Sequence, residues 1–475
     1  MRRLLLILIL FWLVGIMVGL VRPEALLMML GLGLFSLVLW RVPLQILVVC
    51  VALLSLGVVL GNASTVTLVA EEVRCREVDR PLLGTISKTP VIKIAGIDYQ
   101  VEDDKNCHYL VSGLVDPEYT QGDVVSISGS WQSVGEIGQK NPGYADYLRR
   151  KGIWAQARYP VIELVRSSAH TPVSTLHAYI RKRIQLVLPE PESSLALGMV
   201  FNEAGTIPTA VIDDFRTTGL SHVLAISGSN ISLLAAIVFA LSFLVPVSGK
   251  MRSLVISLLL WAYVAFIGWP VSALRAVFFW TLALFGFQLR ALVGFGGVSM
   301  VTAVAMITAN PLVVFDVGFQ LSLAAVMGIM VWLLVLGPYF YFSKYPTLFQ
   351  ALAIMGGATF FTWPLTIYHF GTLSLVGLLA NIIILPFLSL FYILLLVVVV
   401  FSFVVPPVSL PIAFGVHALW RVTYSLTQLL AAQSWAYFED LQLPAWAVAA
   451  WYGVFILLAT WMLAKQKRTW REIWI

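Results

Sequence analysis

A chain of 475 residues with 60% hydrophobic side chains, 11% charged ones and a mean hydropathy of +0.90 is not an ordinary soluble protein. Its apolar residues come in continuous runs of about 20 rather than in alternation, so they read as bilayer-crossing helices and not as strands of a membrane barrel. The formal net charge of +6 is too mild to mark a nucleic-acid binder by itself, and the position of each charge carries more than the sum.

Met1-Arg2-Arg3 and the apolar run behind it look like a secretory signal without a small-residue cleavage site, which reads as a retained anchor. Predicted spans at roughly 4–21, 25–40 and 44–61 fill an N-terminal membrane region, residues 1–68. With Arg2 and Arg3 held in the cytoplasm, Arg41 also falls inside and the chain leaves the third span facing outward.

Residues 69–170 change character. Short β-rich runs such as 91–94, 109–111, 123–129 and 161–165, punctuated by Gly, Pro, Asn and Asp, predict an extracytoplasmic all-β domain. Composition leaves a small barrel and a sandwich both open. The domain is close to charge-neutral, but its late cations Lys140, Arg149, Arg150, Lys151 and Arg158 have Trp131, Tyr147 and Trp154 for neighbours. Cations interleaved with aromatics are what single-stranded nucleic acid needs, and a solvated face beside the membrane is the blander alternative. Cys75 and Cys107 share this hydrophilic segment while Cys50 lies in an apolar run, so the first two are expected to pair.

Residues 171–220 read as an amphipathic helix followed by a linker. Leu176, Tyr179, Ile180, Ile184, Val187 and Leu188 follow helical spacing, with His177, Arg181, Lys182 and Gln185 opposite. Such a helix lies in the membrane interface or packs on the β domain.

From 221 to 475 the chain is almost unbroken membrane, with spans expected near 222–245, 253–270, 271–289, 292–309, 312–336, 348–370, 372–403, 408–432 and 445–463. Nine charges lie between Gly219 and Ala464, and Lys250, Arg252, Arg290 and Lys344 all fall on the cytoplasmic side if the β domain is outside, as do Lys465, Lys467 and Arg468. The acidic loop Glu439-Asp440 falls outside. The expectation is a polytopic α-helical membrane protein of about twelve spans, three before the β domain and about nine after it.

The run Gly219 to Ala235, GLSHVLAISGSNISLLA, sets His, four Ser, two Gly and Asn inside apolar sequence. Polar side chains at membrane depth mark helix contacts or a wet path. This run resembles the signature of the ComEC/Rec2 competence family, and VSALRA at Val271, DVGFQLSLAAVMGI at Asp316 and YHFGTLSLVGLLANIIILPF at Tyr368 repeat the resemblance in order. Upstream, NPGYADYLRRKGIWAQAR at Asn141 resembles the end of that family's extracytoplasmic oligonucleotide-binding (OB) fold domain. Many members carry His where this chain has Asn230, which puts an imidazole role there in doubt.

The resemblance implies a multi-pass protein of the bacterial cytoplasmic membrane that moves single-stranded DNA inward during natural transformation. It also implies an OB-fold-like β domain, an external DNA receptor and a cytoplasmic energy-coupling ATPase as partners. The longer members' C-terminal metallo-β-lactamase-like domain is not expected here, leaving any strand degradation to a separate nuclease. Pore-lining candidates are His222, Ser227, Ser229, Asn230, Arg275, Asp316, Gln320, Asn381 and Arg421. Neutral amides and an occasional cation suit phosphates that must pass without being trapped. Interhelical glue and an Arg275–Asp316 ion pair are the structural alternative.

No enzyme activity, metal or cofactor is expected. The six His have no helix-borne metal spacing, and no P-loop occurs. A serine hydrolase pairing of Ser229 with His222 fails on one helix, where seven positions rise about 10.5 Å. His369 on another helix could replace His222, but the Gly-x-Ser-Gly nucleophile pattern is missing. A small-solute transporter, which would need no external DNA-binding domain, therefore ranks as the first alternative and the hydrolase second.

Overall fold

The computed structural model describes residues 66–465, except 76–77, 79–80, 89, 94–95, 115–118, 169–171, 289–294, 342–345 and 434. The three spans expected at the N-terminus, Cys50, Arg290, Lys344, Lys467 and Arg468 lie outside the described residues. The chain divides into two units, the first comprising the residues up to Pro90 with Ala95–His170 and Ala303–Asp316, the second the remainder.

In the first unit the alternation read from the sequence becomes a sheet. Its strands are β1 (Leu82–Ile86), β3 (Gly96–Glu102), β4 (His108–Gly113), β5 (Val124–Ser128), β6 (Trp131–Ser133), β7 (Ile153–Arg158) and β8 (Val161–Arg166); β2 (Val91–Lys93) groups with the second unit. They run in the order β6-β7-β4-β3-β1-β5-β8. Every neighbouring pair is antiparallel except β4 with β7. Alternate residues point inward, so Leu82, Ile86, Tyr99, Val101, Tyr109, Val111, Val125 and Ile127 form the core.

Two short helices interrupt the strands for local reasons. Helix α1 (Val134–Lys140) starts at Ser133, whose hydroxyl accepts from the Glu136 N–H while the Glu136 carboxylate takes the Ser133 N–H. Helix α2 (Pro142–Arg150) starts at Asn141, whose side chain accepts from the Tyr144 N–H, with Pro142 in the first turn. Together they bury Val134, Ile137, Ala145 and Leu148 with Ile153 of β7, a strand covered on both sides from Ile153 to Ala157. Cys75 and Cys107 are joined by a disulfide with Cα atoms 5.6 Å apart.

The second unit is mostly helical. Its elements are α3 (Pro172–Val187), α4 (Glu192–Phe201), α5 (Thr209–Thr217), α6 (Gly228–Leu241), α7 (Gly249–Phe266), α8 (Val271–Gln288), α9 (Phe295–Ala309, of which the second half groups with the first unit), α10 (Val317–Tyr341), α11 (Pro346–Phe370), α12 (Gly377–Ile383), α13 (Leu385–Val404), α14 (Pro406–Ala431) and α15 (Ala445–Lys465). Among the described residues, Gly249–Phe266, Phe349–Phe370 and Leu385–Phe403 are long and apolar enough to cross a membrane, and six shorter apolar helices accompany them.

Several expected spans are broken. The run predicted at 222–245 opens as a 3₁₀ turn, Ser221–Val223, and becomes α-helix only at Gly228. The run predicted at 372–403 divides into β9 (Leu373–Ser374, paired with β10, Tyr437–Phe438), α12 and α13, with Pro386 in the first turn of α13.

The stretch expected to be a linker supplies the centre of this unit. All ten residues of α4 are buried, in a core shared with α3, α13 and α14 that includes Ile184, Leu188, Phe391, Tyr392, Val416 and Trp420. Helix α3 keeps its predicted amphipathic spacing, but His177 and Arg181, expected on a solvated side, turn to the buried carboxylate of Glu203.

Helices α10 and α11 lie closest together where Gly328 meets Gly357. A Cβ on Gly357 would stand 2.6 Å from the Gly328 carbonyl oxygen, so only glycine permits this approach.

Candidate functional site

The polar run Gly219–Ala235 is where the second unit concentrates its hydrogen bonds between elements. Gly219 has φ +70°, and a Cβ there would lie 3.2–3.3 Å from Ser374 and Gly377. The Ser374 hydroxyl donates to the Thr217 carbonyl at 2.8 Å. His222 is exposed on the 3₁₀ turn, and its ring hydrogen-bonds the Gly219 backbone.

Ser227 is extended (φ −107°, ψ 163°) and caps α6, its hydroxyl accepting from the Asn230 N–H at 3.3 Å. The hydroxyls of Ser227 and Ser229 lie 2.6 Å apart. Just before this cap, the Ile226 carbonyl accepts from Ser272 in the first turn of α8, at 2.7 Å. One turn on, Arg275 Nη1 donates to the Gly318 carbonyl in the first turn of α10, at 3.2 Å. Gln320 Oε1, two residues further, lies 2.7 Å from His369 Nε2 at the end of α11.

The N-terminal ends of α6, α8 and α10 are therefore tied in series by Ser272 and Arg275. Each contributes the positive end of a helix dipole, with Ser227 capping α6 and Asp316 immediately preceding α10, so the region is polar without a cluster of side-chain cations. Ser227, Ser229, Arg275 and Gln320 of the expected lining all belong to it.

The other candidates lie elsewhere. Asn230 is buried at 3% exposure and its side-chain N–H donates to the Met199 carbonyl of α4 at 3.4 Å; it is a helix contact and not an open lining group. Asn381 is half-buried on α12, and Arg421 is exposed on α14. Asp316 ends the 3₁₀ turn Pro311–Phe315 and groups with the first unit.

In the first unit the expected aromatic platform is corrected. Trp131 and Trp154 are 7% and 3% exposed; Trp131 packs edge-on against Tyr109, so both are core residues unable to stack on a base. Arg149 is held by Glu72 at 3.2 Å and Asp146 at 3.1 Å. Arg150 donates to the Phe315 carbonyl at 3.3 Å with its guanidinium 4.6 Å above the Phe315 ring. Lys151 lies over the Tyr147 ring at 5.8 Å, and Lys140 and Arg158 are exposed.

Sequence reasoning missed a second set of buried ionisable groups around α4. Glu203 receives two hydrogen bonds from Arg181, at 3.0 and 3.1 Å, and lies 3.4 Å from His177 Nδ1. Burial pushes the His177 imidazole below its ordinary pKa; Glu203 opposes that shift and Arg181 adds to it. Tyr424 donates to Asp214 at 2.8 Å, and His417 Nδ1 lies 2.6 Å from Glu192 Oε1. Polar residues in an apolar context were the available signal; their partners, up to 225 positions away, were not.

A family model described as "Competence protein" matches residues 199–465, which include all four of these polar motifs. ComE operon protein 3 of Bacillus subtilis is 24% identical over 249 residues, covering 51% of this chain and 31% of that protein. Recombination protein 2 of Haemophilus influenzae is 27% identical over 253 residues, covering 48% and 31%. The chain thus matches about a third of the length of these curated relatives. No solved structure matches.

Proposed function

Because the chain belongs to the competence protein family, we propose that it conducts single-stranded DNA across the bacterial cytoplasmic membrane during natural transformation. The observation that carries this reading is the convergence of the α6, α8 and α10 N-termini beside Arg275, within the region matched by the family. Helix N-termini favour phosphate groups, and broken helices that aim their ends at a substrate are a recurrent device in membrane transport. Dipoles and hydroxyls hold each phosphate weakly enough for it to be released to the next position. Transport by this route involves no chemistry on the strand, so the protein acts as a conduit and not as an enzyme.

The fuller topology belongs to the same proposal: about twelve spans, both termini cytoplasmic, and the sheet outside. The cations Lys250 and Arg252 in the first turn of α7 support it. An antiparallel sheet with one parallel pair, β4 with β7, fits a partly open OB-type barrel. Strand contact on that domain is assigned to the exposed cations Lys140, Lys151 and Arg158. An external DNA receptor, a cytoplasmic ATPase and a separate nuclease complete the expected system.

The deciding experiment is a clean deletion assayed for internalised labelled DNA separately from surface-bound DNA. Surface binding should persist while internalisation disappears. Unchanged internalisation would overturn the proposal, and would favour a small-solute transporter.

A further inference from the structure

Glu192 begins α4 with its side chain fully buried. Its Oε1 meets His417 Nδ1 of α14 at 2.6 Å, while its Oε2 is buried without a hydrogen-bond partner. A carboxylate with an unsatisfied oxygen in the apolar core of a membrane protein is costly to keep ionised, and groups retained at that cost are functional more often than structural. His417 differs from its partner in access: its side chain is 38% exposed, against 0% for Glu192. Among the described residues the Glu192 carboxyl has one hydrogen-bond partner, His417, whose ring is only partly covered by the protein.

We propose that Glu192 and His417 form a proton-binding site in which the less buried imidazole passes protons to and from the buried carboxyl group. A proton arriving on Nε2 allows the Nδ1–H to pass its own proton to Oε1. The ring is left neutral with its proton on Nε2, the carboxylate becomes a neutral acid, and one proton has been taken up in total. Release runs the same steps backwards.

Other ionisable groups face α4 from each element packed on it. Glu190 in the preceding loop accepts from the hydroxyls of Ser193 and Ser194. Tyr263 of α7 donates to the Val200 carbonyl, and Tyr392 of α13 lies in the same core. Glu203 is held by Arg181 and His177 of α3, and Arg421 follows His417 by one turn of α14. Among the described residues, the hydrogen bond of the Glu192 carboxyl goes to His417.

The far end of α4 touches the polar run itself. A Cβ on Gly198 would lie 2.6 Å from the Leu224 carbonyl oxygen, and the Met199 carbonyl receives Asn230. A buried ten-residue helix thus joins the proton site to the segment that caps α6, and protonation can bias that segment. This coupling rests on the transport reading above; the proton site does not.

The test uses the purified full chain in lipid nanodiscs, with infrared difference spectra recorded between about pH 5 and 8. A protonated-carboxyl band that titrates in the wild type, disappears in Glu192→Gln and changes midpoint in His417→Gln is the expected result. No titrating band, a band that survives Glu192→Gln, or an unmoved midpoint in His417→Gln overturns the site. If Glu192→Gln fails to accumulate, the comparison of wild type with His417→Gln decides. Uptake of labelled DNA is measured in the same variants. Full uptake in Glu192→Gln, with the band behaving as expected, removes the coupling and leaves the proton site standing.

Discussion

Asn230 and Met199 are joined across 31 positions by a hydrogen bond from the asparagine side chain to the methionine carbonyl, 3.4 Å long, which fastens α6 to the buried helix α4. The amide at the heart of the polar run therefore braces α6 against α4, and the groups left at the candidate site are hydroxyls, helix ends and Arg275.

Replacing Asn230 with Leu should strand the Met199 carbonyl in the core and cost roughly 1–3 kcal/mol of stability. Thermal unfolding of the detergent-solubilised protein should show the loss. An unchanged transition would mean that the amide is not a brace.

Arg275→Glu should abolish most DNA internalisation while leaving surface binding intact, because a fixed anion would face the phosphates beside three helix N-termini. Arg275→Lys should be milder, since a point cation still meets phosphate although the planar fork is gone. Equal loss in both variants, accompanied by equal loss of protein, would make Arg275 purely structural through its bond to Gly318.

Neutralising Lys140 and Arg158 together should flatten the salt dependence of single-stranded DNA binding, by roughly 0.7 in logarithmic slope for each phosphate contact removed. Trp131→Ala should instead lower stability, on the order of 3–5 kcal/mol, without altering that slope in the molecules that remain folded. Binding measured across a salt series distinguishes the two effects.

Cys75→Ser should weaken the sheet domain by roughly 3–4 kcal/mol on chain-entropy grounds. The bond closes a loop between positions 32 apart. Hydrogen exchange across β3 and β4 in the full chain should accelerate in the variant, and unaltered protection would contradict the assignment.

Asp123 provides a pH test. Burial pushes its carboxyl upward, but the Thr120 and Ser168 N–H groups, with the Thr120 and Ser167 hydroxyls, more than offset this and hold it below its ordinary value. The folded state thus favours the ionised form. Its stabilisation is complete above the unfolded value of about 3.9 and is lost as pH falls through the lower folded value. Asp123→Asn should speed exchange of the Thr120 and Ser168 amides at neutral pH, with the difference from wild type vanishing in strong acid.

Much of this was legible because membrane sequence is written in large letters. Runs of apolar residues pointed to a mostly helical unit, and an isolated polar stretch pointed to the candidate site. What escaped has a common physical reason, which is that burial is decided by partners distant in sequence. Trp131 and Trp154 read as a binding platform because they neighbour cations, yet both are buried, Trp131 edge-on against Tyr109 of β4. Glu192 and Glu203 lie in the stretch read as a linker, and their partners His417 and Arg181 lie on other helices. The break at Ser221–Ser227 was concealed by the average apolarity around it, although its serines and glycines were visible.

The crossing of Gly328 and Gly357 leaves no clearance for one backbone to slide along the other. Helices α10 and α11 therefore travel as a single plank, carrying Gln320 and His369 together at one end. On its outer sides the plank is held by Arg275 of α8, which reaches over to Gly318, and by Tyr452 of α15, whose hydroxyl donates to the Phe361 carbonyl. If the plank moves as a unit, these bonds to α8 and α15 are the ones that must yield while the contacts inside it stay closed.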